Sequence, residues 1–148
     1  IFKFRTMVIN ADKMGPLVTQ DNDSRITKIG KKIRNFRLDE VPQLINVLIG
    51  DMSFVGTRPE VQKYVDAYSE EMLVTLLLPA GITSKSSIEF RNEADKISKW
   101  MEKGLTADEA YIQKILPEKM QYNIDYIEEV SVAQDIKVML QTVFAVLK

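Results

Sequence analysis

The sequence predicts a helix-dominated α/β (α+β) domain, with a small few-stranded sheet near the N-terminal half and several amphipathic helices. Short apolar runs bounded by glycine or proline occur early in the chain, whereas apolar residues at three- and four-residue spacing fill the remainder. The 148 residues fall within the ~100–200 residues of a single domain, and 45% hydrophobic with 28% charged residues is typical of a globular protein. We therefore predict one domain over residues 1–148.

The composition excludes several classes of active site. The chain has no cysteine and no histidine, which rules out disulfides, thiolate or histidine metal sites and Ser-His triads. Carboxylates, lysine, tyrosine and hydroxyl groups remain as candidates. Residues 1–37 carry nine Lys/Arg against three Asp/Glu, whereas residues 38–148 carry eleven against eighteen. The cationic N-terminal quarter favours phosphates, anionic lipids or nucleic acid, and charge does not choose among them.

The chain opens on an alternating pattern. Residues 1–5 alternate apolar and basic side chains, which predicts a strand. A period of two places alternate side chains on opposite faces: Phe2 and Phe4 on one, Lys3 and Arg5 on the other. Because the chain starts inside this pattern and without methionine, we expect a segment to precede it. Residues 25–36 then carry apolar residues at helical spacing, which predicts a helix with a basic surface.

A second helix is predicted from Leu38. Asp39 lies where an N-cap is expected, Glu40 lies in the first turn, and Gly50 is a natural stop. An acidic pair at the positive end of a helix, with arginines before and after it, suits a divalent cation and a phosphate. The common structural use of the same two residues is an N-cap with a first-turn acid. The predicted apolar face comprises Val41, Leu44, Ile45 and Leu48.

Short elements are predicted after this helix. Phe54 and Val55 indicate a short strand, and Pro59 is expected to open the next helix. Residues 76–90 indicate an extended, looping stretch with some strand character. The predicted buried face of the helix after Pro59 comprises Val61, Tyr64, Val65, Tyr68 and Met72.

Three helices are predicted in the last third of the chain. Asn92 is expected to cap the first, which ends near Gly104. Thr106 and Glu109 form the capping-box pattern of the second, and Pro117 is expected to break or kink it.

Ser131 with Gln134 repeats that capping signature for the last helix. Its apolar stripe is predicted to pack in the core, with membrane-surface contact as the alternative. No apolar run approaches the ~20 residues of a membrane-spanning helix. The stripe comprises Ile136, Met139, Leu140, Val143, Phe144 and Leu147.

Several motifs occur in a fixed order and together resemble the bacterial sugar transferase family, the monotopic phosphoglycosyl transferases. Weaker similarity extends through residues 79–83 and 91–92 and along the tail from Tyr122 to Thr142, so that the resemblance covers most of the chain. The motifs are Lys3-Phe4-Arg5-Thr6-Met7, Arg25-Ile26-Thr27-Lys28-Ile29-Gly30, Leu38-Asp39-Glu40-Val41-Pro42-Gln43-Leu44-Ile45-Asn46-Val47-Leu48, Gly50-Asp51-Met52-Ser53 and Gly56-Thr57-Arg58-Pro59.

The resemblance implies an activity and roles for particular residues. A sugar 1-phosphate passes from a nucleotide diphosphate sugar to a polyprenol phosphate, which begins the assembly of a surface polysaccharide or glycoconjugate. Asp39 is implied as the nucleophile that forms a covalent phosphosugar intermediate. Glu40 is implied as a catalytic residue that either helps Asp39 to hold Mg²⁺ or orients the acceptor phosphate, and the resemblance leaves both roles open. Asp39 and Glu40 are thus the candidate ligands of Mg²⁺, which prefers one or two carboxylates plus phosphate oxygens. The implied phosphate-binding residues are Lys3, Arg5 and Arg58, with Arg25 and Arg91 as weaker candidates.

The resemblance also implies a location at the cytoplasmic face of the bacterial inner membrane, reached through an anchoring segment N-terminal to Ile1. Three departures from the family pattern are visible: Thr57 replaces a common proline, Arg37 replaces a small hydroxyl residue, and residues 84–90 lack the usual glycines. The alternative function is a non-catalytic membrane-surface assembly module with the same fold. Nucleic acid is not an expected partner, because few aromatic residues are interleaved with the N-terminal cations.

Overall fold

A computed structural model describes residues 1–19 and 23–147, and confirms a helix-dominated α/β architecture around a small parallel sheet. Short 3-10 turns cover Ala11–Lys13, Leu38–Glu40 and Val74–Leu76, and a π-helical segment covers Tyr111–Ile115. The strands are β1 (Ser53–Val55) and β2 (Gly81–Thr83). The helices are α1 (Lys28–Asn35), α2 (Gln43–Leu48), α3 (Gln62–Val65), α4 (Glu70–Leu73), α5 (Lys85–Glu89), α6 (Glu93–Met101), α7 (Ala107–Ala110), α8 (Leu116–Glu128) and α9 (Val132–Leu147).

The two strands pair in parallel, with Ser53 opposite Gly81 and Val55 opposite Thr83. The predicted strand at Phe54 and Val55 is therefore confirmed. A Cβ atom on Gly81 would lie 2.1 Å from the backbone nitrogen of Gly56, so the two backbone segments approach each other here more closely than a side chain permits. Arg58 lies two residues beyond Gly56, just after this close approach.

The predicted opening strand is wrong. Residues 1–5 form no strand, and the nearest ladder contact is a single antiparallel bridge between Met7 and Ile26. The segment instead lies along α2 and the turn before it: the Phe2 N–H donates to Asn46 Oδ1 at 2.9 Å and the Phe4 N–H to the Asp39 carbonyl at 3.0 Å. Alternation alone predicted a strand, but a strand requires a neighbouring strand to pair with.

The main hydrophobic core lies among α3, α6, α7, the π-helical segment and α8. The rings of Tyr64 and Tyr111 pack with centroids 4.4 Å apart at its centre. Local signals predicted the helix boundaries here: Gly104 follows α6 at φ 94°, and Thr106 and Glu109 form a complete capping box on α7. Asn92 lies at the N-cap position of α6 as predicted, but its side chain makes no capping hydrogen bond. The buried members of this core are Val18, Tyr64, Phe90, Ile97, Ala107, Ala110, Tyr111, Ile115, Leu116 and Met120.

A smaller core joins α9 to the sheet. Val55, Tyr126 and Val138 are its buried members, and the hydroxyls of Thr83 and Thr142 lie 2.7 Å apart beside it. The prediction that the α9 stripe packs in the core is wrong for most of its residues, since the described chain offers no surface to cover them. Ile136, Leu140, Val143 and Phe144 are between 50% and 66% exposed, Met139 is partly buried, and the side chain of Leu147 lies outside the described residues.

The burial of α2 is the reverse of the sequence prediction. Its polar residues Gln43 and Asn46 are buried, because Asn46 Oδ1 and its carbonyl accept hydrogen bonds from the N-terminal segment and from residues 51 and 52. The apolar residues predicted to face the core are instead exposed: Val41, Leu44, Ile45 and Leu48. Gly50 follows the helix at φ 87°, as predicted for its stop.

Three further boundaries differ from the predictions. Residues 85–89 form α5 rather than an extended stretch, because the Ser84 hydroxyl caps the helix by accepting from the Ser87 N–H at 3.0 Å. Pro59 does not open α3, which begins after Val61, itself an exposed residue although predicted to be buried. Pro117 lies in the first turn of α8, where a missing N–H is tolerated, and the α-helical pattern is interrupted before it, by the π-helical segment Tyr111–Ile115.

None of the helices in residues 1–19 and 23–147 has the length and apolar character that crossing a bilayer requires.

Candidate active site

Three separate segments bring charged side chains together beside the sheet. Glu40 lies in the 3-10 turn before α2, Lys3 lies in the N-terminal segment that crosses this turn, and Arg58 follows β1. The Lys3 ammonium lies 3.4 Å from Glu40 Oε1. The predicted neighbours Asp39, Glu40, Lys3 and Arg58 therefore do converge, although the chain separates Lys3 from Arg58 by more than fifty residues.

Glu40 is the electrostatic centre of this cluster. Arg58 donates from Nη1 to Glu40 Oε2 at 3.1 Å and from Nη2 to Oε1, a bidentate arrangement, and Arg37 Nη1 lies 4.0 Å from Oε1. Burial acts to raise the pKa of Glu40, but the hydrogen bonds and charge of Arg58, with the charges of Lys3 and Arg37, lower it to about 2. Glu40 is therefore an anion at every physiological pH.

Asp39 is buried and, unlike Glu40, has a carboxylate oxygen without a hydrogen-bond partner among the described residues. In the described part of the chain, Asp39 Oδ1 is the one buried side-chain nitrogen or oxygen that lacks a hydrogen-bond partner. An unsatisfied buried polar group costs about 1–3 kcal/mol, so such a group needs an explanation that a missing ligand or a chemical role can supply. The predicted N-cap role is wrong: the turn is preceded by Arg37 in the left-handed conformation at φ 55°, and no side chain caps it.

A cleft of about 230 Å³ opens beside Glu40 and Arg58. Its walls are mostly apolar and come largely from α2, β2, α5 and α9, and charged side chains such as Glu40 and Arg58 also line it. This combination suits a ligand that carries both an anionic group and an apolar body. The lining residues are Arg37, Glu40, Val41, Leu44, Arg58, Ile82, Thr83, Ser87, Ile88, Arg91, Thr142, Ala145 and Val146.

The other predicted phosphate-binding arginines lie in different settings. Arg25 is 7% exposed and its guanidinium is occupied by Asp23, at 2.6 Å from Nη2 to Oδ2, and by the carbonyls of residues 11, 16 and 18. Its predicted role is thus corrected to a structural one, since its donors are already used. Arg91 lines the cleft but donates to the Ala145 carbonyl. Arg5 is exposed.

The carboxylates fit a metal ion only with ligands from outside the protein. No group of three or more carboxylates among the described residues surrounds a common point. Asp39 Oδ1 is free of hydrogen bonds and so offers one oxygen, whereas both Glu40 oxygens are held by Arg58. An ion here would therefore take Asp39 first and complete its shell with water or phosphate oxygens, which is the preference of Mg²⁺.

Two groups beside the site were not singled out by the sequence. Arg37 is predicted only as a departure from the family pattern, but it lies near Glu40 and lines the cleft. Glu60, Glu93 and Lys119 form an ionic cluster close to Arg58. Glu60 directly follows the Arg58-Pro59 motif, and this position could have marked it as a site neighbour. No local pattern around Lys119 indicates that it is buried.

The family model described as "Bacterial sugar transferase" matches residues 1–148. A UDP-N-acetylgalactosamine-undecaprenyl-phosphate N-acetylgalactosaminephosphotransferase of Aeromonas hydrophila is 33% identical over 99% of this chain and 31% of its own length. A UDP-glucose:undecaprenyl-phosphate glucose-1-phosphate transferase of Escherichia coli K12 is 38% identical over 97% of this chain and 28% of its own length. A putative undecaprenyl-phosphate N-acetylgalactosaminyl 1-phosphate transferase of Bacillus subtilis is 46% identical over 49% of this chain and 40% of its own length.

The chain thus spans less than half the length of each of these relatives. The family model matches every residue of the chain, and two relatives are more than 30% identical across nearly all of it. These matches establish the family. This protein belongs to the bacterial sugar transferase family.

Proposed function

We propose that this protein transfers a sugar 1-phosphate from a nucleotide diphosphate sugar to a polyprenol phosphate, through a phosphosugar intermediate on Asp39. The observation that carries the proposal is the unpartnered, buried Asp39 Oδ1 directly beside the Glu40–Arg58 pair. The names of the relatives support the same reaction class, since each describes transfer to undecaprenyl phosphate.

The first step forms one bond and breaks one. An Asp39 carboxylate oxygen attacks the phosphorus that carries the sugar, and the bond from that phosphorus to the bridging oxygen breaks. The bridging oxygen leaves with the electron pair on a nucleoside monophosphate. In the second step a phosphate oxygen of the polyprenol phosphate attacks the same phosphorus and expels the Asp39 carboxylate, so that the enzyme is regenerated and no proton needs to be taken up.

The cations around Glu40 suit this chemistry, because phosphoryl transfer depends mainly on positioning and on neutralising oxygen charge. Arg58 already presents a planar pair of donors to a carboxylate and would present the same pair to a phosphate. Lys3 is half-exposed beside it, and Arg37 lines the adjoining cleft. Glu40 keeps these cations together while the site is empty of phosphate.

Magnesium is part of the proposal. Asp39 would hold the ion, and Glu40 could join only by exchanging with Arg58. When bound, the ion would neutralise charge on the phosphate oxygens and thereby support the attack.

We propose the cytoplasmic face of the bacterial inner membrane as the place of reaction, since the acceptor is a lipid. Exposed apolar residues next to the site support membrane contact: Leu44, Ile45, Leu48 and Ile49 are between 43% and 86% exposed. Replacing Leu48 and Ile49 together by serine should reduce co-sedimentation of the full-length protein with anionic lipid vesicles severalfold. An unchanged bound fraction would contradict this part of the proposal.

The decisive experiment looks for the intermediate. Full-length protein in lipid bicelles is incubated with labelled nucleotide sugars and Mg²⁺, without acceptor, and digested for mass spectrometry. We expect a phosphosugar on the peptide that contains Asp39, and its loss when polyprenol phosphate is added. Asp39→Asn should form no adduct and no product.

The matched control is Asp12→Asn, because Asp12 is the middle residue of another three-residue 3-10 turn but is exposed. It should retain wild-type activity. If Asp39→Asn instead retained wild-type behaviour, the protein would be the non-catalytic assembly module that keeps the same fold.

A further inference from the structure

A buried lysine lies at the centre of an ionic cluster behind the site. Lys119 Nζ lies 3.0 Å from Glu60 Oε1, 2.8 Å from Glu93 Oε2 and 2.7 Å from the Tyr111 hydroxyl. Lys119 is 6% exposed, and the Tyr111 hydroxyl donates to Glu60 Oε1 at 2.5 Å. Removing charges from water is costly even when they are paired, so this buried cluster is an arrangement that the apolar core does not require.

The cluster is connected to the proposed phosphate site through Arg58. Glu60 follows Arg58 by two residues, and the intervening Pro59 restricts the backbone between them. Burial lowers the pKa of Arg58, but the hydrogen bond and charge of Glu40, and then the charges of Glu60 and Glu93, raise it overall. The same guanidinium is therefore attracted both by Glu40, which it contacts in the site, and by the charges of Glu60 and Glu93 in the cluster.

The backbone that carries Lys119 and Tyr111 is itself irregular. Tyr111 begins the π-helical segment Tyr111–Ile115, which α8 follows directly. π-Helical turns are rare and are frequently found at functional sites. Here the segment brings the tyrosine hydroxyl and the lysine ammonium to one point, on Glu60 Oε1.

We propose that Lys119 is a positioning residue for Arg58. By neutralising one of the two negative charges of Glu60 and Glu93, Lys119 weakens their hold on the guanidinium and leaves it directed at Glu40 and at the incoming phosphate. This inference rests on the assignment of Arg58 to phosphate binding in the proposed function. It concerns the charge balance behind the site and adds no group that touches the substrate.

The experiment uses a double variant that restores the net charge of the cluster without restoring the contact between Lys119 and Glu60. Lys119→Met leaves two carboxylates uncompensated near Arg58, and binding of inorganic pyrophosphate to the full-length protein should weaken about tenfold, with KM for the sugar donor rising more than kcat falls. The double variant Lys119→Met/Glu60→Gln returns the cluster to a single negative charge. It should recover pyrophosphate affinity to within about threefold of wild type. Glutamine keeps a carbonyl oxygen that can accept from Tyr111.

A merely structural role gives the opposite result. If the cluster only holds the fold, the double variant loses more contacts than the single one and binds pyrophosphate no better, and that outcome would overturn the inference. Thermal unfolding checks that each variant is folded, and Ile97→Ala, a core residue that is fully buried and uncharged, reports the effect of destabilisation alone on affinity. It should leave affinity within about twofold of wild type.

Two further variants separate this inference from the proposed function. Lys63→Met removes a lysine paired with Asp108 at 2.5 Å, outside the cluster, and should leave pyrophosphate binding unchanged. Arg58→Met should abolish most of the binding. If the wild type bound pyrophosphate through Arg58 but formed no Asp39 adduct, the proposed function would fail while the positioning role stayed testable. If pyrophosphate binding did not depend on Arg58, the positioning role would be overturned.

Discussion

The two sides of this molecule follow opposite rules of burial. In the helical core of α6, α7, the π-helical segment and α8, large apolar side chains are buried, and Ile97, Ile115 and Leu116 are between 0% and 2% exposed. On the site face, which comprises residues 1–4, α2 and the outer side of α9, apolar residues are exposed. There α2 buries Gln43 and Asn46 instead.

This difference shows which side of the protein is organised for stability and which for function. The helical core satisfies the ordinary requirement that apolar area leaves water. The site face uses hydrogen bonds and ion pairs to bring the N-terminal segment, the 3-10 turn and Arg58 together, and leaves its apolar area available. Mutations in the helical core should therefore mainly lower the free energy of unfolding, whereas the largest effect of mutations on the site face should be on activity.

The largest expected effect is on the site face and on activity. Asp39→Asn should lower kcat by about 10³-fold or more, because an amide is not a nucleophile towards phosphorus. Its free energy of unfolding should stay equal or rise, since the buried unpaired carboxylate is removed. If the variant lost activity only in proportion to a loss of folded protein, Asp39 would serve stability and the contrast between the two sides would be contradicted.

The next largest effect is on the free energy of unfolding, and it compares a leucine-to-alanine substitution on each side. Leu116→Ala in the helical core should lower the free energy of unfolding by about 3 kcal/mol, because Leu116 is 1% exposed and its removal leaves a cavity. Leu48→Ala on the site face should change it by less than about 0.5 kcal/mol, because Leu48 is 86% exposed. Denaturant titration of both variants measures the difference, and equal losses would contradict the assignment of the two sides.

A third prediction concerns acid sensitivity on the site face. The pKa of Glu40 is lowered from its ordinary 4.5 to about 2, so the stability it contributes is complete above pH 4.5 and is lost as pH falls from there to about 2. Glu40→Gln should therefore be less stable than wild type by about 2–3 kcal/mol at pH 6, and the gap should close below pH 3. A gap that stays constant over this pH range would show that Arg58 and Lys3 do not stabilise the ionised carboxylate.

The smallest effect compares two helix caps, one on α7 in the helical core and one on α1, outside both regions. Thr106→Ala removes the capping box of α7, and Thr27→Ala removes the hydroxyl that accepts from the Gly30 N–H at 2.9 Å at the start of α1. Each should cost about 1 kcal/mol in the free energy of unfolding. Thr27 should cost slightly more, because its hydroxyl also donates to the Thr6 carbonyl at 3.2 Å. Serine at either position should restore stability to within a few tenths of a kcal/mol and serves as the control.

Local signals in the sequence predicted local structure. The capping box at Thr106 and the stop at Gly50 depend on residues within one turn of the chain, and both are found. The short strand at Phe54 is also found, with β2 as its partner. The opening strand failed because its existence depends on a partner that the sequence pattern does not specify. The helix at residues 85–89 carried its own signal in Ser84 and Ser87, which was missed.

The candidate site was predictable only in part and for a different reason. Lys3, Glu40 and Arg58 come from three distant segments, so no periodicity places them together, and the order of family motifs supplied the prediction. The burial of α2 was wrong because periodicity identifies an apolar face without saying whether protein, lipid or water lies against it. The Lys119 cluster depends on tertiary packing around the π-helical segment, for which the sequence gives no local pattern.

The π-helical segment has a consequence for how this chain can vary in length. A π turn holds one more residue than the α turn it replaces, so deleting a single residue between Tyr111 and Ile115 would restore regular winding. Because the π turn absorbs that extra residue locally, the 13 residues of α8 would keep their orientation relative to α7, and the same side chains would face inwards. Natural variants that are one residue shorter at this point should therefore need no compensating exchanges along α8, whereas a one-residue deletion within α8 itself would rotate the residues after it by about 100° and should need them.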